Sequence, residues 1–265
     1  CRTTVAPAEM VDELSCAKRE EAFRAGEGNG PFKLMAIERY LDGGGALCPG
    51  FAYVGLFREP IPRLLSHLNH FFNSLRIKDR NVLRRDFFSR LVQTSSGHGT
   101  DCTGSAVLER LVNWSYVDRS RETELRRPDL AIYWGALCGI VDNYQTRTLL
   151  GTSLSPTPFG TLEPVDSEQT ARAITTMLDF ALVLVLEQAL GHDERMQAQL
   201  GDVLGWEHTS MPEENTAASR PINLFQYDNL SPEELDILKA HNRGDEQIYG
   251  AALAMQSLVN YDEWL

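Results

Sequence analysis

The hydrophobic pattern is clearest around residue 55. An apolar run, Phe51-Ala52-Tyr53-Val54-Gly55-Leu56-Phe57, stands between Pro49-Gly50 and Arg58-Glu59-Pro60. Its length, its turn-forming flanks and its aromatic content predict a strand buried on both faces, as in a parallel sheet. The pattern then changes period. Ile61, Leu64, Leu65, Leu68, Phe72 and Leu75 recur at steps of three and four, which predicts a helix with one apolar face. Pro60 suits its first turn. Arg63, Ser66, His67, His70 and Asn73 fall mostly on the other side.

Elsewhere the pattern is carried by caps and breakers. Met10 to Ala25 is helix-prone and ends in a Gly/Asn cluster at 26–30; Phe32 to Leu41 reads as a short helix stopped by Gly43-Gly44-Gly45. Residues 76–128 mix basic helical stretches with a small-residue loop, Ser95 to Ser105. Ala131 to Val141 is apolar and leads into Asn143-Tyr144-Gln145-Thr146-Arg147, and 151–164 is a Ser/Thr/Pro/Gly loop. Asp166 with Gln169 forms a capping-box pattern opening a helix to about Leu178. Phe180 to Leu186 predicts a second buried strand, with a continued helix as the alternative. A helix is expected over Glu187 to Leu200, and residues 205–229 are irregular and polar. Ser231-Pro232-Glu233-Glu234 gives a second capping box, and Gly244 is expected to divide that helix from a last one over Asp245 to Val259. The alternation of strand and helix predicts an α/β fold, a parallel central sheet flanked by helices, in one domain over residues 1–265.

Composition adjusts this picture in a few places. The chain has 265 residues, 43% of them apolar and 23% charged, ordinary for a soluble globular protein with a full core. No apolar run is long enough to span a membrane. The net charge of −12 argues against a nucleic-acid partner, because duplex affinity is built on phosphate neutralisation. Two basic stretches run against that charge: Arg76, Lys78, Arg80, Arg84, Arg85 and Arg90, then Arg119, Arg121, Arg126 and Arg127. Each is read as a solvated helix face or as an attractor of an anionic substrate. The five cysteines, Cys1, Cys16, Cys48, Cys102 and Cys138, lack C-x-x-C spacing, so no metal is implied. Two sequons, at Asn113 and Asn229, favour a lumenal protein weakly.

The candidate chemistry sits at the end of the first strand. Ligands of open parallel sheets bind beyond the carboxyl ends of the strands. Arg58 is at such an end, a helix begins at Pro60, and Ser66 follows eight residues after Arg58. An arginine fork, a helix amino terminus and a hydroxyl together suit a phosphate.

The string Tyr53-Val54-Gly55-Leu56-Phe57-Arg58-Glu59-Pro60-Ile61-Pro62-Arg63-Leu64-Leu65-Ser66 resembles the 3′-phosphate-binding motif of sulfotransferases, a hydrophobic strand followed by R-[DE]-P-x-x-R-x-x-S. It is similar to the version in Golgi carbohydrate sulfotransferases of the heparan sulfate 2-O and 6-O type. Asn143 to Leu150 resembles the N-x-x-Q-x-R-x-L segment of the 6-O type. Asn242, Asp245, Ile248, Tyr249 and Ala252 resemble the carboxy-terminal N-x-x-D-x-x-[IL]-Y-x-x-A helix. The likeness covers 51–265, while 1–50 matches poorly. It implies a P-loop-NTPase-like sulfotransferase fold, in which Arg58 and Ser66 bind the 3′-phosphate of 3′-phosphoadenosine 5′-phosphosulfate, the co-substrate. It makes Gln145 and Arg147 candidates for substrate contacts, with structural hydrogen bonding as the alternative. It implies a carbohydrate or glycan acceptor and a Golgi lumenal setting, membrane-anchored in the parent protein.

The family also has a phosphosulfate loop of the form K-x-G-[GT]-T-[TS]. No such loop occurs here, and Cys1-Arg2-Thr3-Thr4-Val5 matches only its tail. No catalytic residue is assigned. The family's base histidine has no counterpart in residues 1–50, Glu38 is expected to be a surface residue, and His67 and His70 are expected to be packing or surface residues; His98 is a loop residue. Two explanations stay open: an amino-terminally incomplete chain, favoured by Cys1 in first position, or a non-catalytic member that binds the bisphosphate or a sulfated glycan.

Overall fold

The computed structural model describes residues 16–25, 47–73, 81, 84–85, 87–89, 91, 100–101, 139–151, 161–162, 165–189, 193–204 and 225–259. Among them run α1 (Cys16–Ala25), β1 (Val54–Phe57), α2 (Pro60–Asn73), β2 (Thr100–Asp101), α3 (Tyr144–Leu150), β3 (Thr161–Leu162), α4 (Ser167–Leu178), β4 (Leu182–Val185), α5 (Leu186–Ala189), α6 (Asp193–Leu204), α7 (Pro232–His241) and α8 (Arg243–Val259). The architecture is α/β and mostly helical. Its centre is a small parallel sheet in which β1 pairs with β4, from Val54 opposite Leu182 to Phe57 opposite Val185. A two-residue antiparallel pair, β2 with β3, stands apart from it.

The strand period of two divides the sheet's side chains between two cores. Phe57, Val183 and Val185 face Leu149 and Leu150 of α3, Ala173 and Met177 of α4, and Ile248 and Ala252 of α8. Leu182, Leu184 and Val54 face the other way, toward Leu200 of α6. Gly55 is where Phe180 lies against β1: a Cβ there would come within 2.8 Å of the Phe180 ring. The apolar run is therefore buried unevenly. β4 is buried along its whole length. Leu56 on β1 is 56% exposed and stands outside the cluster that Leu182, Leu184 and Val54 form with Leu200 of α6. Burial on both faces, as expected for the first strand, thus holds for β4 and not for β1.

Both capping boxes form. The Asp166 side chain accepts from Gln169 N at 2.7 Å, and Gln169 returns the bond to Asp166 N. Ser231 and Glu234 exchange the equivalent pair. The last two helices meet at Asn242, not at Gly244. Asn242 closes α7, and Gly244 lies inside the first turn of α8. Glycine is needed there for approach, not as a breaker. A Cβ at Gly244 would sit 2.9 Å from both Asn143 Oδ1 and Thr146 Oγ1 and 3.1 Å from Thr170 Oγ1. The helix expected over Glu187 to Leu200 is seen as two segments, α5 leaving directly from β4 and then α6.

The apolar face of α2 is buried through Ile61, Leu64, Leu65 and Leu68. Asn69 fixes the chain that crosses it, donating to Phe225 O at 2.7 Å and accepting from Phe225 N at 2.9 Å. Phe225 completes an aromatic cluster with Phe87 and Phe88. In the first basic stretch, Arg84 is an internal contact, paired with Glu234 at the start of α7. A disulfide joins Cys16 in α1 to Cys48 before β1. The expected helix over Phe32 to Leu41, the second basic stretch and the first sequon lie outside the described residues, as do Thr3, Thr4, Glu38 and His98. Among the described residues no helix is long and apolar enough to cross a membrane.

Candidate functional site

Arg58 follows β1 immediately and precedes the first turn of α2, at the carboxyl end of a parallel strand. Its main chain is held from both sides. Gln145 Oε1 accepts from Arg58 N at 3.0 Å, and Gln145 Nε2 donates to Arg58 O at 2.9 Å. One side-chain amide thereby satisfies both main-chain polar groups of Arg58. The Arg58 side chain is 36% exposed, with Nε 3.5 Å from Glu187 Oε1. Glu187 lies just past the end of β4, the partner strand, and also accepts from Glu59 N at 3.1 Å. Tyr249 of α8 closes the group. Burial raises its phenol above its ordinary value, and the negative charges of Glu187 and Glu59 beside it add to that. Ser66 stands on α2, half-buried.

Beneath this cluster the three segments singled out in the sequence meet in one buried polar network. Its centre is Asp245, which is 0% exposed. Asp245 accepts from Gln145 N at 3.0 Å, Thr146 N at 2.8 Å and Thr146 Oγ1 at 2.9 Å. It therefore caps the amino end of α3, where free N–H groups and partial positive charge favour a carboxylate. Arg63 Nη2 approaches it at 3.6 Å. Arg63 also donates to Ile140 O at 3.3 Å, meets His67 Nδ1 at 3.1 Å and lies over the Tyr144 ring at 4.8 Å. His67 stacks edge-on against Tyr144 at 5.1 Å, a packing role.

The cap at the other helix is reciprocal. Asn143 takes the left-handed conformation, φ 47°, which asparagine tolerates better than most residues. Its Oδ1 accepts from Gly244 N at 2.8 Å and Asp245 N at 3.3 Å at the start of α8. Asn242 donates to Val141 O at 3.0 Å and Leu238 O at 2.8 Å. Each of these polar groups is spent on a backbone that would otherwise be buried without a partner.

Neither a family model, nor any curated protein, nor any solved structure gives a match to this chain.

Of the candidates named from sequence, Arg58 and Gln145 are brought into direct contact. Gln145 is buried and engaged with main chain on both sides. Arg147 is elsewhere: its side chain is 4% exposed and binds Asp142 through the carbonyl at 3.0 Å and the carboxylate at 2.9 Å. Burial pushes the Asp142 carboxyl up, but the His241 hydrogen bond and the Arg147 charge outweigh it and hold it below the ordinary 3.8. Sequence reasoning missed Glu187 and Tyr249 as neighbours of Arg58. The one available signal was that Glu187 follows the second apolar run as Arg58 follows the first. In a parallel pair both positions open onto the same crevice.

Proposed function

We propose that this chain is a sulfotransferase-like domain that holds the 3′-phosphate of an adenosine 3′,5′-bisphosphate nucleotide at Arg58 and Ser66. The assigned fold is the P-loop-NTPase-like sulfotransferase fold. The assigned reaction is transfer of a sulfuryl group from 3′-phosphoadenosine 5′-phosphosulfate to a carbohydrate hydroxyl. The observation that carries the reading is the setting of Arg58: it lies directly beyond a parallel strand, ahead of a helix amino terminus, with its main chain clamped by Gln145. A clamped backbone fixes where the guanidinium starts, which lowers the ordering cost of binding. The 3′-phosphate separates this nucleotide from AMP and ATP, so a cation and a hydroxyl placed there supply selectivity. The assembly of all three resembling segments around Asp245 supports treating them as one constellation.

In this reading Gln145 positions Arg58, Arg147 holds Asp142, and neither touches the acceptor. The transfer breaks the bond from sulfur to the bridging phosphate oxygen and makes one to the acceptor oxygen. Positioning and charge stabilisation carry such a step. The Cys16–Cys48 disulfide supports an oxidising, Golgi lumenal setting, as does the exposed sequon residue Asn229. A second reading is a non-catalytic module of the same fold that binds the bisphosphate or a sulfated glycan; these 265 residues carry no K-x-G-[GT]-T-[TS] loop.

The test is thermal stabilisation, since a ligand that binds the folded state raises melting by mass action. Adenosine 3′,5′-bisphosphate is expected to raise the midpoint and AMP to leave it unchanged. Equal shifts, or none, would remove the assignment. Transfer of labelled sulfuryl to a glycan separates the enzyme from the binding module.

A further inference from the structure

Glu187 stands where an anionic ligand would be expected to bind. Its carboxylate accepts the amide hydrogen of Glu59 at the mouth of α2 at 3.1 Å and lies 3.5 Å from Arg58 Nε. A backbone N–H at a helix start and a guanidinium are donor types that recognise a phosphate oxygen. The residue is placed by the fold, two positions past Val185 at the end of β4, as Arg58 is one past Phe57 at the end of β1. The side chains of Arg58 and Glu187 are 36% and 34% exposed, so the pair is partly withdrawn from water. Glu59 adds a second negative charge beside it.

We infer that Glu187 is an internal occupant of the anion site, which an incoming phosphate must displace to reach Arg58 and the start of α2. This rests on the phosphate-site reading above and adds its regulation. The occupied state gives Arg58 an opposite charge at 3.5 Å in the absence of ligand, although its Nε makes no hydrogen bond there. The cost appears as weakened affinity, because an anion has to push out or sit beside a carboxylate.

Glu187→Gln keeps the shape and one acceptor oxygen while removing the charge. Glu187→Ala removes the occupant altogether and serves if the first variant folds poorly. Calorimetric titration of adenosine 3′,5′-bisphosphate into the wild-type chain and both variants is the experiment. With one negative charge removed at roughly 4 Å in a partly exposed site, binding is expected to tighten about tenfold. If the wild-type chain binds and the variants bind equally or more weakly, Glu187 is a ligand or a bystander and the inference falls, while the phosphate site stands. If wild type and both variants give no heat above that of Arg58→Ala, the phosphate site itself falls, and the inference with it.

Discussion

Replacing Asp245 by alanine tests whether the buried network builds the site. Asp245 has no exposed surface and accepts three hydrogen bonds, from Gln145 N, Thr146 N and Thr146 Oγ1 at 2.8 to 3.0 Å. Alanine leaves those donors without that acceptor and removes a carboxylate 3.6 Å from Arg63, itself 6% exposed. An orphaned buried donor costs about 1–3 kcal/mol, and removing one partner of a buried charge pair about 3–5 kcal/mol. The two overlap because Arg63 keeps Ile140 O and Asn242 Oδ1, so roughly 4 kcal/mol is the expected loss. That is a large part of the ~5–15 kcal/mol by which domains are stable. Asp245→Asn should lose about half as much, since its Oδ1 still serves Thr146 while its amide opposes Gln145 N. Urea unfolding reads both variants, with Arg63→Met and the double variant completing a cycle for the pair. A loss below about 1 kcal/mol for Asp245→Ala at unchanged urea dependence would refute the network as a structural hub.

Three further outcomes follow. Gly244→Ala improves intrinsic helix propensity yet should destabilise by about 1–3 kcal/mol, because its Cβ would meet Asn143 and Thr146; thermal or urea unfolding checks the sign. Asp142 has a depressed folded value, so its contribution is present above the unfolded carboxylate value of about 4 and is lost as pH falls through the folded one. Asp142→Asn should therefore be less stable at pH 7 and lose less on acidification, read as unfolding midpoints at several pH values. Gln145→Ala removes both bonds to the Arg58 main chain and should weaken bisphosphate binding several-fold without changing its preference over AMP. A substrate-contacting Gln145 would instead leave nucleotide affinity alone.

Much of this was legible in the chain. Strand and helix announced themselves at Phe51–Phe57 and Ile61–Leu68 through a change of period, and both capping boxes sit where their sequence signatures stand. What stayed hidden depends on tertiary neighbours. Leu56 reads like its flanking residues, yet it stays outside the Leu182–Leu184–Leu200 cluster and is exposed. Gly244 reads as a helix breaker, and only the approach of Asn143 and Thr146 shows that its missing side chain matters. Arg63 reads as a polar-face residue of α2, yet Asp245, 182 positions later in the chain, draws it into the interior. Gln145 and Glu187 reach Arg58 across 87 and 129 positions, and no local pattern encodes those pairings.

Calorimetric titration of adenosine 3′,5′-bisphosphate and of AMP into the wild-type chain and into Arg58→Ala tests the central claim most directly. The account predicts binding of the bisphosphate at least about tenfold tighter than AMP, as expected for an added charge-assisted contact, and loss of that preference in Arg58→Ala with the fold intact. Equal affinity for the two nucleotides, or a preference that survives in Arg58→Ala, would contradict it.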